Sequence, residues 1–238
     1  MKRAIIIGAT SGMGRELALL LVANNYKVGI TGRRLHLLEA LKNENPSAFI
    51  ISNFDIKNTC AVLQNLNDLT TTLGGLDVLV ISAGIGDINI ALDITTEHNT
   101  INTNVAGFTT IATWAFNYFT NQRYGQLVAI TSVGGIRGSR HAPAYNASKA
   151  YQINYLEGLR QKATQQKSGI HITDVRAGFV NTEMAKGDGL FWVMPLHKAV
   201  TQIYSAIKAK KHVVYVTKRW RLIAIIVKLL PRYIYNKL

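Results

Sequence analysis

Tyr145 and Lys149 stand four residues apart in the segment YNASK, the spacing that brings two side chains to one face of a helix. A free phenol has a pKa of about 10 and is a poor acid or base at neutral pH. An ammonium group beside it favours the phenolate and lowers that pKa, which makes the pair a candidate tuned proton donor. Ser132 lies thirteen residues before Tyr145, just past the apolar run 126–131 (QLVAIT). A hydroxyl at the carboxyl end of a strand can polarise the carbonyl oxygen of a substrate. The same hydroxyl can instead satisfy local backbone in the Gly-rich stretch that follows.

A second chemical centre sits at the start of the chain, in Gly8-Ala9-Thr10-Ser11-Gly12-Met13-Gly14. Glycines there let the backbone turn sharply and approach a phosphate closely. A helix starting at that turn aims its unpaired N–H groups at the anion. The spacing is G-x-x-x-G-x-G rather than the commoner G-x-G-x-x-G. At the end of the next apolar run, 27–31, come Gly32, Arg33 and Arg34. An acid at that point would hold the ribose 2′-hydroxyl of NAD. Two guanidinium groups suit a 2′-phosphate instead, so the residues favour NADP(H) over NAD(H).

These centres need a scaffold, and the patterning supplies one. Short β-branched runs at 3–7, 27–31, 48–54, 77–82, 126–131, 170–175 and 212–216 predict strands. Between them, 14–24, 35–43, 58–73, 97–119, 145–166 and 199–208 read as helices, with Gly74-Gly75 closing the third. Strands alternating with helices imply an α/β, doubly wound, Rossmann-like parallel sheet of about seven strands, covered on both faces. With 238 residues, 48% of them hydrophobic and 17% charged, one domain with a full core is expected. The division read from the sequence is a Rossmann-like domain over 1–216 and a basic amphipathic helical appendage over 217–238.

The single cysteine, Cys60, cannot form an internal disulfide and fits a reducing, cytoplasmic setting. The opening MKRAIIIGATSG reads as a first strand, not as a secretory signal. Net charge is +14, and beyond Asp188 there are ten Lys or Arg and no acid. Such a segment is suited to an anionic contact: nucleic acid, anionic lipid or an acidic substrate. No basic reading motif supports nucleic acid, which is not the expected partner.

Taken in order, GATSGMG, Ser82-Ala83-Gly84, Asn104 in INTNVAG, Ser132 in ITSVGG and YNASK resemble the short-chain dehydrogenase/reductase family over roughly 3–216. The resemblance implies that Tyr145 passes a proton to or from the substrate oxygen and that Ser132 holds that oxygen. It implies that Lys149 binds the nicotinamide ribose and tunes Tyr145, and that Asn104 anchors a water behind Lys149. Gly8, Thr10, Ser11, Gly12, Met13 and Gly14 would bind the pyrophosphate side. Asp55 and Ile56 would flank the adenine, and Ser82, Ala83 and Gly84 would lie toward the ribose. Gly178, Val180 and Thr182 would contact the nicotinamide. The family's Asn-Asn-Ala-Gly is here Ile81-Ser82-Ala83-Gly84, and its Pro-Gly is Ala177-Gly178. The implied activity is hydride transfer between NADP(H) and a small carbonyl or alcohol substrate, by a homodimer or homotetramer formed through 97–119 and 145–166. The alternative is a catalytically silent nucleotide-binding scaffold, which would have no need of a phenol–ammonium pair.

The family's variable lid falls on ~183–198, where Phe191, Trp192, Val193 and Met194 point to an apolar substrate, or else to core or subunit packing. In 217–238 the uninterrupted apolar run, Leu222 to Val227, is far short of the ~20 residues that span a bilayer. Read as one helix, the segment puts Trp220, Ile223, Val227, Leu230 and Ile234 on one face and Arg221, Lys228 and Arg232 on another. That pattern suits peripheral membrane contact, a partner subunit or a cover for the substrate mouth.

Overall fold

The computed structural model describes residues 1–183 and 191–237. Among the described residues, seven strands form one parallel sheet in the order β3-β2-β1-β4-β5-β6-β7. They are β1 (Lys2–Ile7), β2 (Tyr26–Gly32), β3 (Phe49–Asn53), β4 (Val78–Ile81), β5 (Gly125–Ser132), β6 (Ile170–Ala177) and β7 (Val213–Val216). The order reverses direction between β1 and β4, and ligands of such sheets bind outside the carboxyl ends of the strands at that switch point.

Alternation along β1 shows how the layers are filled. Ala4 and Ile6 face one side, packed with Leu17 and Leu21 of α1 (Gly12–Ala23), Leu38 of α2 (Leu35–Glu44) and Ile203 of α7 (Leu196–Lys208). Ile5 and Ile7 face the other, with Leu66 of α3 (Thr59–Leu73), Ile111 of α5 (Phe108–Gln122) and Leu156 of α6 (Pro143–Gln165). Burial on both faces is why these strands read as continuous apolar runs. Gly74 ends α3 in the left-handed region at φ 79°, as expected of a C-cap.

Two elements differ from the sequence reading. The helix expected over 97–119 is three pieces: α4 (Ile94–Ile101), a wider π-helical segment (Asn102–Gly107) and α5. The wider turn turns the Asn104 carbonyl toward Gln152, whose Nε2 donates to it at 2.8 Å. The tail is α8 (Lys218–Leu229) and a short α9 (Arg232–Tyr235), not one helix. Pro231 is the cause: the residue before a proline avoids the helical region, and Leu230 sits at ψ 129°. Leu230 and Ile234 therefore do not continue the face that Trp220 begins.

Candidate active site

The glycine turn joins β1 to α1 under a tight steric constraint. Gly8 sits at φ 89° and Gly12 at φ 56°, the left-handed region that glycine enters at no steric cost. A Cβ on Gly8 would lie 2.7 Å from the Ala83 nitrogen, and one on Gly14 would lie 2.0 Å from the Gly8 carbonyl oxygen. The turn borders a groove of about 460 Å³ that also takes in Arg33, Arg34, Asp55, Ile56, Ser82, Ala83 and Gly84. Arg34 Nη2 donates to Thr10 Oγ1 and to Ser11 Oγ, both at 2.9 Å, so a guanidinium stands over the turn. Arg33 is exposed, 3.9 Å from Asp55 Oδ2. Asp55 Oδ1 also accepts from the Lys57 N–H at 3.0 Å, a local turn-capping role beside any ligand role.

A dinucleotide fits these residues. The cradle admits backbone-close approach of phosphate only because Gly8 and Gly12 hold conformations other residues resist. The α1 N-terminus faces it, and two guanidiniums line its outer end. Thr31, in the same groove wall, has a buried hydroxyl with no hydrogen-bond partner among the described residues.

Past the switch point lies a second cavity of about 430 Å³, lined by Ser132, Tyr145 and Lys149. The two cavities share Met13, Ser82, Gly84, Gly86, Asp87 and Thr182, so they form one continuous cleft. Ser132 comes from the end of β5, whereas Tyr145 and Lys149 come from the first turns of α6. Pro143 at the start of α6 fixes where that helix begins. The Tyr145 phenol and the Ser132 hydroxyl both line this cavity, and the Ser132 side chain acts on the phenol's proton affinity. Ser132 Oγ also accepts the Gly134 N–H at 3.0 Å, so the hydroxyl serves the backbone and the site together. Gly86 faces the Tyr145 ring so closely that a Cβ there would lie 2.6 Å from it.

Burial decides the proton chemistry of these groups. It pushes the Tyr145 phenol up from its ordinary value, and the Ser132 side chain offsets only part of this. It pushes the Lys149 ammonium down to about 8, against the opposing pull of Asp174. Burial thus sets the direction of the phenol's shift among these residues, with the Lys149 ammonium 5.8 Å from the ring centroid. A phenol held protonated through neutral pH is poised to give its proton to an oxygen, the need of a carbonyl reduction.

Asn104 is fully buried and lines neither cavity. Its side chain clamps the loop after β4: Oδ1 accepts from the Ile85 N–H at 2.9 Å and Nδ2 donates to the Ile85 carbonyl at 2.7 Å. The link from Lys149 to the Asn104 carbonyl runs through Gln152, since Lys149 Nζ donates to Gln152 Oε1 at 3.1 Å. The Asn104 carbonyl thus accepts from an amide side chain that also accepts from Lys149. Gly178 and Val180 line the Ser132–Tyr145 cavity and not the nucleotide groove, while Thr182 borders both.

Sequence reading does not single out Gln152 or Gly86, whereas it groups Trp220, Ile223 and Val227 on one face of the tail and names a cover for a cavity as one of its uses. Trp220, Ile223, Ala224 and Val227 form a wall of the second cavity, so α8 covers it. The space beside Gly178 is filled by Trp220: a Cβ there would lie 2.1 Å from the indole. Of the expected lid, 184–190 lie outside the described residues. Phe191, Trp192 and Val193 are exposed, and Phe191 packs on Trp220 at 5.1 Å between centroids. Met194 is half-buried against the core.

The family model described as short chain dehydrogenase matches residues 2–189. An uncharacterized oxidoreductase of Myxococcus xanthus is 32% identical over 206 residues, 84% of this chain and 81% of that protein. Carbonyl reductase family member 4 of Xenopus tropicalis is 28% identical over 200 residues, covering 82% and 84%. Among solved structures, ElxO with NADP bound matches the fold with a TM-score of 0.78 at 23% identity, covering 90% of this chain and 96% of that one.

Proposed function

The chain belongs to the short-chain dehydrogenase/reductase family of oxidoreductases, and from that premise we propose that it reduces an apolar ketone or aldehyde with NADPH. The observation that carries this reading is that Ser132, Tyr145 and Lys149 line one cavity that opens into the glycine-turn groove. NADPH, when bound, supplies hydride to the carbonyl carbon. Ser132 holds the carbonyl oxygen, and Tyr145 gives that oxygen its proton as the alcohol forms. Lys149, on the same helix face as Tyr145, holds the nicotinamide-side ribose and supplies positive charge near the phenol as its proton leaves. Asn104 positions the loop bearing Gly84 and Ile85 beside that lysine.

NADP(H) is favoured over NAD(H) because Arg33 and Arg34 line the outer groove, where a 2′-phosphate would find guanidinium partners. The NADP-bound ElxO structure supports the same choice. Thr10, Ser11, Gly12, Met13 and Gly14 take the pyrophosphate, and Asp55 and Ile56 take the adenine end. An apolar substrate follows from the cavity wall, where Ile88, Phe179, Trp220, Ile223 and Val227 meet the Tyr145 end. Residues 1–216 are the catalytic domain in this reading, and copies associate as a homodimer or homotetramer through α5 and α6. The test is loss of reduced-nicotinamide absorbance against a panel of ketones and aldehydes, with NADPH and NADH in parallel. Turnover with NADPH on apolar carbonyls is expected; a silent panel, or a strong NADH preference, would overturn it.

A further inference from the structure

Helix α8 is apolar on two sides. Trp220, Ile223, Ala224 and Val227 face the substrate cavity. The opposite side carries Leu222, Ile225, Ile226 and Leu229, which are 65%, 46%, 57% and 76% exposed. At 3.6 residues per turn these four fill an arc of about 100°. Arg221 and Lys228 border that arc on one edge and Arg219 on the other, all exposed. At the N-terminal end of α8, exposed Phe191 and Trp192 pack against Trp220, with Arg219 over the Trp192 ring at 5.8 Å. Pro231 then turns the chain so that α9 adds an exposed Tyr233 beside Arg232.

We propose that this outer face of α8, with Phe191 and Trp192, docks on an anionic lipid surface, and that the substrate is a carbonyl compound dissolved in that lipid. The second half rests on the reading of the Ser132–Tyr145 cavity as a substrate site. An apolar stripe edged by Arg and Lys is the form a helix takes when it lies in the headgroup region, its bases reaching outward to phosphates. Charge selects lipid over a second copy. The segment beyond Asp188 has no acid, so two such faces would bring like charges together.

The helix that meets the lipid is also the cavity wall. Its C-terminal carbonyls are held by Arg137, which donates to Val227 at 3.2 Å and Leu230 at 3.1 Å and stacks on Tyr235 at 4.2 Å. Arg137 directly follows the short 3-10 turn Val133–Ile136 that leads out of Ser132. A lipophilic molecule leaving the bilayer beside α8 therefore emerges next to the cavity that Ser132 and Tyr145 line.

The full chain is co-sedimented with phosphatidylcholine vesicles, with and without roughly one-third phosphatidylserine. A second protein carries Leu222→Gln, Ile225→Gln, Ile226→Gln and Leu229→Gln. The intact chain is expected to pellet with the anionic vesicles, to pellet far less with neutral ones or at high salt, and the variant to lose at least tenfold in partitioning. Both proteins are expected to reduce a short water-soluble ketone alike, while the variant falls behind on a long-chain ketone held in vesicles. An intact chain that stays in the supernatant would overturn the proposal. So would a concentration-dependent self-association that the four substitutions abolish, which would assign the face to a second copy. Pelleting without any turnover would instead strike at the catalytic reading alone.

Discussion

Lys149 and Gln152 are joined in a buried relay: the ammonium donates to Gln152 Oε1 at 3.1 Å, and Gln152 Nε2 donates to the Asn104 carbonyl at 2.8 Å. Lys149 Nζ also reaches the Ile130 carbonyl at 3.2 Å. An amide acceptor favours the charged lysine, against the burial that draws its pKa down to about 8. Replacing Gln152 by Leu removes that support, so the pKa falls further. Gln152→Glu places a carboxylate there and raises it. The alkaline limb of kcat/KM for NADPH, set by loss of the ammonium, is expected to move acidward by about one pH unit in the first variant, the worth of a charge-assisted hydrogen bond of ~1.5 kcal/mol. It is expected to move the opposite way in the second. A limb that stays put in both variants would reduce Gln152 to a packing residue.

Tyr145→Phe keeps the ring in its pocket and removes the transferable proton. Turnover is expected to fall by about 10²–10⁴, the usual span for a lost general acid, while NADPH affinity by fluorescence titration changes little. Because burial holds the phenol protonated, reductive kcat of the native protein is expected to be flat through neutral pH and to decline only on the alkaline side.

Gly86 offers a probe of geometry that leaves every catalytic group in place. In Gly86→Ala the new methyl must displace the Tyr145 ring, which stands 2.6 Å from its position. The expected outcome is at least a tenfold loss of kcat, since small misplacements of a reacting group are expensive, with a much smaller change in melting temperature. Equal turnover in the variant would show that the ring has room to move.

Arg34 sits over the glycine turn, bonded to Thr10 and Ser11. Arg34→Ala is expected to raise KM for NADPH by about 10–100-fold, as for a lost charge-assisted contact to phosphate, and to alter KM for NADH little. Parallel steady-state titrations with the two nucleotides measure the ratio. An equal rise for both would assign Arg34 to the shared pyrophosphate and leave the 2′-phosphate to Arg33.

Much of the scaffold is legible because it is written locally. The apolar runs ending at Gly8, Gly32 and Ser132 encode buried strands, and Tyr145 with Lys149 encodes one helix face through a four-residue step. The glycine turn is legible because only its residue types tolerate the angles at Gly8 and Gly12. Asn104 is marked by its motif, but not the partners it meets: its side chain holds the Ile85 loop and its carbonyl accepts from Gln152. The break in the tail was also within reach, since Pro231 stands in the middle of the run.

By itself, then, the chain determined the order of its strands and helices, the phosphate turn and the phenol–ammonium spacing, since each depends on residues a few positions apart. Tertiary structure alone decided that Gln152 reaches Asn104 across 48 positions, that Gly86 faces Tyr145, and that Trp220 and Val227 wall the cavity. It also decided the sign of the phenol's shift, because desolvation depends on everything that closes over the ring, and no sequence interval records that enclosure.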